Sequence, residues 1–255
     1  MEEPMDLSDY MFPVVERPVA VNNWPEQLSA TENQNTANRY KVIVREDTNE
    51  IISVVRGSYK LVPNEELIKP MLKELDGLGM ASCIDETHSF VNNHRMRLQI
   101  TFPEITIQDS NSDIALSLFL HNSYDMSEPI RIASGGFRYV CGNGMVFQKV
   151  LSQFVARHTR GFRMDRLLEQ SLRSARENWP MVEQRIIALA STPVTGEMYD
   201  RIYREVGLNM TEMILATLPD TQWSAYNEAT WIVSHEIDQD RRADYQQALS
   251  RAFEL

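Results

Sequence analysis

The chain has 255 residues, 43% of them hydrophobic and 24% charged, enough apolar material for a substantial core in one large domain or two. Its net charge of −11 counts against a protein that coats nucleic acid by bulk electrostatics, and its two cysteines, Cys83 and Cys141, count against a disulfide scaffold or a cysteine-based zinc site. No apolar run reaches the roughly 18 to 20 residues that cross a bilayer, and MEEPMDLSDY lacks the features of a signal peptide. A cytoplasmic protein with no membrane partner is expected.

Residues 1–38 hold seven acidic and one basic residue among Pro and Asn, with no sustained period, and are expected to form an acidic N-terminal arm. Its apolar residues, among them Tyr10, Phe12, Val14 and Trp24, suggest that it lies on another surface and bears on assembly, with a homo-oligomer as one outcome. Residues 39–255 are expected to form a single α+β domain, mainly sheet over 39–160 and mainly helical over 161–255.

YKVIVRE and IISVVRG alternate around DTNE and predict a β-hairpin. Asn64 is placed to cap a helix running to about Asp76, with Leu67, Met71, Leu72 and Leu75 on one face. Strands are predicted at 82–88, 94–102, 114–121 and 130–140, with a further one from Phe154. About six strands thus precede any long helix, which predicts an antiparallel sheet with helices from the C-terminal half packed on it. After Met164, Leu168, Leu172, Ala175 and Trp179 mark a helix, and Pro180 should kink or restart it. Helices at 197–206 and 210–218 follow, then a final one from Thr221.

Chemistry concentrates between Ser117 and Met145. The loop NSYDMSEP holds Asn122 and Asp125, the next strand starts near Arg131, and the turn Cys-Gly-Asn-Gly carries Cys141 and Asn143. Cys141 could act as a nucleophile if His121 or His158 served as its base; a buried structural thiol is the plainer reading. Asn143 suits a turn requiring positive φ. Asp125 and Arg131 are placed to pair across the loop or to cap it. Gly135-Gly136 fits a strand bend better than a phosphate loop. His88, His94 and Glu86 lack metal-ligand spacing, so neither a metal nor another cofactor is expected.

Between Lys149 and Arg176 seven basic residues face two acidic ones. Arg157, Arg160, Arg163, Arg166 and Arg173 are either a solvated helix face or a phosphate-contacting surface, for which the planar arginine fork is suited. In the last predicted helix Trp223, Tyr226, Thr230 and Val233 form a core stripe. Beside it, Asn227, Trp231 and His235 recur every four residues, a polar-aromatic face able to stack a base.

NSYD-x-S from Asn122, V-C-x-N-G from Val140 and Arg-His-Thr from Arg157 together resemble the phage/plasmid-like family of uncharacterised domains. GSYKLVPNEEL from Gly57 and TQWSAYNEATWIVSHE from Thr221 resemble further segments of it, so the likeness runs from about Arg39 to about Asp240. It implies a phage or plasmid setting, although that family more often carries Gly where Met126 stands. In that setting the expected function is a non-enzymatic one in association with nucleic acid, as a single-stranded DNA binder or an accessory of replication or recombination. Trp231, His235 and the arginines would carry it. Two alternatives stand beside it: an interaction or anti-defence factor meeting a host or phage protein through an acidic surface, and a cysteine-dependent enzyme centred on Cys141.

Overall fold

The computed structural model describes residues 7–19, 39–77, 79, 83–84, 89–109, 113–138, 142–151, 153–158 and 163–255. The fold is mixed α+β, with strands in the N-terminal half and helices in the C-terminal half. The strands form two antiparallel sheets where one was expected.

The small sheet contains β1 (Val14–Pro18), β2 (Tyr40–Arg45) and β3 (Glu50–Arg56), in that order. Strands β2 and β3 are the expected hairpin; its turn holds Asn49 at φ 58°, in the left-handed region that Asn tolerates better than most residues. Strand β1 comes from the expected arm. Val14 pairs with Arg45 and Pro18 with Lys41, while residues 20–38 lie outside the described residues. The sheet has its own small core of Phe12, Val14, Ile43, Ile52, Val55, Tyr59 and Tyr124, which is why this part of the arm is ordered.

The large sheet runs β10 (Phe154–Ala156), β8 (Ile130–Arg138), β7 (Ile114–Ser123), β6 (Arg95–Ile107) and β4 (Cys83–Ile84), with β5 (Phe90–Val91) on β6 and β9 (Asn143–Val146) on β8. Register fixes two unlike faces. Leu98, Ile100 and Phe102 stand opposite Leu120, Leu118 and Leu116 on one face, all buried in the main core. Arg97, Gln99 and Thr101 stand opposite His121, Phe119 and Ser117 on the other, and these are buried as well.

Helix α1 (Glu65–Gly77) buries Leu67, Ile68, Met71 and Leu75, with Leu72 partly covered. It packs on α2 (Met164–Ala190), which lies against β8 and adds Leu168, Leu172, Ala175 and Trp179 to the core. Pro180 lies inside α2 and does not restart it. The carbonyl deprived of its partner belongs to Arg176 on the exposed side, where water replaces the lost donor.

Three shorter helices follow: α3 (Gly196–Val206), α4 (Leu208–Ala216) and α5 (Gln222–Glu236), the last begun by a capping box between Thr221 and Ser224. Helix α5 is not the last. Helix α6 (Gln239–Phe253) packs on α3, α5 and β9. No helix among the described residues is long and apolar enough to cross a membrane.

Candidate functional site

Four groups of polar residues hold the candidate positions or line a cavity. The first is built by NSYD. Asn122 Nδ2 donates to Asn64 Oδ1 at 2.7 Å and to the Val62 carbonyl at 3.1 Å. Asn64 Nδ2 donates to the Tyr10 carbonyl at 2.9 Å, and the Asn64 amide donates to the Tyr124 hydroxyl at 2.8 Å. The Asn64 side chain therefore joins three chain segments, while its main-chain carbonyl accepts from the Leu67 and Ile68 amides at the start of α1. Tyr59 donates to the Ser123 carbonyl at 2.9 Å and stacks on His158 at 4.6 Å between centroids. His158 Nδ1 lies 3.2 Å from the Lys60 carbonyl, and burial pushes its pKa down. Asp125 accepts from the Ser127 amide at 2.9 Å, an Asx turn. It does not pair with Arg131, whose electrostatic neighbours are Glu128 and Asp244. This cluster holds the two sheets and α1 together, and leaves Asn122 Oδ1 and His158 Nε2 buried without a hydrogen-bond partner.

The second ties α5 to the sheet. Arg138 pairs with Asp109 in a buried salt bridge, and donates to Asn227 Oδ1 at 3.2 Å. Trp223 Nε1 donates to Asp109 at 3.0 Å, and Asn143 Nδ2 to the Asn227 carbonyl at 3.4 Å. Asn143 is a strand residue opposite Arg138; the positive φ expected there belongs to Gly142, at 61°. Cys141, the centre of the enzyme reading, lies outside the described residues. Gly135 and Gly136 continue β8, where a β-carbon on Gly135 would stand 1.9 Å from the Met145 carbonyl oxygen. Strand β9 can approach β8 only because these residues have no side chain.

The third lies on the polar face of the large sheet, beneath the first two turns of α6. Arg97 Nη2 donates to Glu128 Oε1 at 3.0 Å, and Nη1 to the Gln239 carbonyl at 2.8 Å. His121 Nδ1 stands 3.4 Å from Glu128 Oε2, with no hydrogen bond formed. Burial lowers the pKa of His121 and holds it neutral. Burial would raise the pKa of Glu128, but His121 and the neighbouring Arg97 outweigh it and hold the carboxylate well below its ordinary range. Beside these groups is a cavity of about 30 Å³, lined also by Phe90, Phe119, Arg242 and Gln246.

The fourth is at the surface. Trp231 and His235 stack at 4.6 Å with an 18° interplanar angle, and Trp231 is 40% exposed. Arg157, Arg163, Arg166 and Arg173 are exposed, and Arg160 lies outside the described residues. Arg163 pairs with Asp165 at 2.6 Å and Arg173 with Glu169 at 2.5 Å. Strand β10 lies against α2, so Arg157 and the first turns of α2 share one side of the molecule. Among the described residues, no hydrogen bond or cation–π contact joins these arginines to Trp231 or His235. His94 approaches Asp125 at 3.9 Å, whereas Glu86 and His88 lie outside the described residues.

Arg97, Glu128, Arg242 and Gln246 were not among the residues expected to form a site. Their one sequence signal is the alternation Arg97, Gln99, Thr101 within β6, which by itself describes a solvent-facing strand surface.

Neither a curated protein nor a solved structure matches the chain. The model of a domain of unknown function, DUF932, matches residues 51–254, from β3 to the end of α6. With four-fifths of its length inside that match, the chain belongs to the DUF932 family.

Proposed function

We propose that the protein is a non-enzymatic, nucleic-acid-associated protein of a phage or plasmid, and that it contacts single-stranded DNA. The observation that carries this reading is the exposed Trp231–His235 stack. An aromatic pair left at the surface has an open face for a base, and each stacked base contributes roughly 1 to 3 kcal/mol. Arg157, Arg163, Arg166 and Arg173 would take phosphates. The ion pairs of Arg163 and Arg173 are exposed, where water screens the attraction, so a phosphate displaces them at little cost. On a chain of net charge −11, binding would be weak, tolerant of sequence and steeply dependent on salt.

The test is fluorescence anisotropy with a labelled single-stranded oligonucleotide at low and moderate salt, using the wild type and Trp231→Ala. Binding that falls with salt and is weakened by Trp231→Ala is the expected result. Folded wild-type protein that fails to bind at low salt would sink the reading.

A second reading, an interaction or anti-defence factor, is favoured by one observation. Tyr203, Leu208, Met213, Leu215 and Leu218 are exposed on or beside α3 and α4, apolar side chains that a partner surface could cover. Under this reading, charge substitutions at Leu208 and Leu215 abolish partner capture while leaving DNA anisotropy untouched.

A further inference from the structure

We propose that the cleft between the polar face of β6 and β7 and the first two turns of α6 binds a small oxyanion of the phosphate class. Gln239, Arg242, Ala243 and Gln246 recur at helical spacing, so one face of α6 roofs a floor made by Arg97, Gln99, Phe119 and His121.

The groups presented there are donors in search of an acceptor. Arg97 is 7% exposed, and its Nε has no partner. His121 is 4% exposed, and its Nδ1, 3.4 Å from Glu128 Oε2, has no hydrogen-bond partner. Arg242 uses only Nε, which donates to the Ile237 carbonyl at 2.9 Å. Buried donors left unpaired are costly, so their convergence on one cavity calls for an occupant that accepts. A water offers two acceptor positions; an oxyanion offers several on each oxygen and meets the Arg97 and Arg242 charges as well. The positive end of α6 adds to this, because Asp238 makes no side-chain cap there.

The cleft is only partly enclosed, so a phosphate ester would enter by its terminal phosphate and leave the rest in solvent. Glu128 does not fill the role, because it is held by Arg97 Nη2 and leaves Nε unpaired. Asp238 and Asp244 are exposed at and near the start of α6, and each faces an arginine that offsets it, Arg242 and Arg131 respectively.

The experiment is isothermal titration of the full chain with inorganic phosphate, with chloride at matched ionic strength as the blank and a nucleoside 5′-monophosphate as a second arm. Arg242→Gln and His121→Asn are measured alongside, each checked first for an unchanged fold by circular dichroism. Saturable phosphate binding is expected, weakened about tenfold by Arg242→Gln, the loss of one charge-assisted hydrogen bond. Tighter binding of the monophosphate would identify an ester as the source, and equal binding the free anion. Heats no different from chloride, or an Arg242→Gln protein that binds phosphate like the wild type, would overturn the proposal. The titration contains no DNA, so its result is independent of the Trp231 surface.

Discussion

Asn122 and Asn64, 58 positions apart, share a 2.7 Å hydrogen bond that is buried from solvent. Asn122 Nδ2 donates to the Val62 carbonyl as well, and Asn64 Nδ2 donates to the Tyr10 carbonyl. Replacing Asn122 by Leu leaves the Val62 carbonyl and Asn64 Oδ1 buried without a donor. That substitution is expected to lower stability by roughly 2 to 4 kcal/mol in urea denaturation. An unchanged midpoint would show that the cluster does not hold the two sheets together.

Gly135 tests the close approach of β9. A β-carbon there overlaps a backbone oxygen, which cannot swing aside as a side chain would. Gly135→Ala should cost about 3 kcal/mol or more, at the upper end for overpacking, and detach β9 from β8. Gly77→Ala is the contrasting case, since nothing lies within 4 Å of its would-be β-carbon. Equal melting temperatures for the two variants would refute the steric account.

Met126 occupies the left-handed region at φ 63° and is exposed. Its side chain gains little from burial while its backbone is strained, so Met126→Gly is expected to raise stability by about 0.5 kcal/mol. Met126→Val, β-branched and intolerant of that region, is expected to lower it. Thermal denaturation of the two variants distinguishes this from a packing role, in which both would lose.

Acid should weaken the protein in two stages. His121 has a folded pKa below its ordinary 6.5, so between those values the unfolded chain binds the proton and the folded one does not. Stability therefore falls as pH drops through 6.5. Glu128 is also depressed, from 4.5, and its contribution, complete above that value, is lost as pH falls toward its folded pKa. Denaturation across pH 7 to 3 checks both windows. His121→Asn should flatten the upper one, and Glu128→Gln should cost about 3 kcal/mol at pH 7 because it strands the Arg97 charge. A wild-type slope in the upper window for His121→Asn would assign the transition to another group.

Elements with a strong period were legible in the sequence. The Leu168–Trp179 stripe of α2 and Leu67, Met71 and Leu75 of α1 are buried as their spacing marks, and the β2–β3 hairpin forms where its alternation marks it, with Ile43, Val44, Ile52 and Val55 buried but Ile51 and Val54 exposed. Strand β9 was hidden because Gly-Asn-Gly reads as a turn, and only the tertiary approach to Gly135 and Gly136 makes it a strand. Helix α6 was hidden for a different reason. Its buried positions include Ala243, Gln246, Ala248 and Ser250, and a helix that covers a polar sheet face carries no strong apolar stripe. The cleft beneath it was illegible on both sides, since Arg97 and Gln99 look solvent-facing until α6 covers them. Asn122, Asp125 and Asn143 were recognised as unusual, but their use as internal ties depends on Asn64, Ser127 and Asn227, which local sequence does not bring near.

The large sheet ends in very little strand. Its outermost strands, β10 and β4, are three and two residues long, while the interior strands β6 and β7 run to 13 and 10. Strand β7, buried along its whole length, is paired by β6 on one side and β8 on the other, so crowding many copies together does not put its backbone within reach of a neighbouring chain.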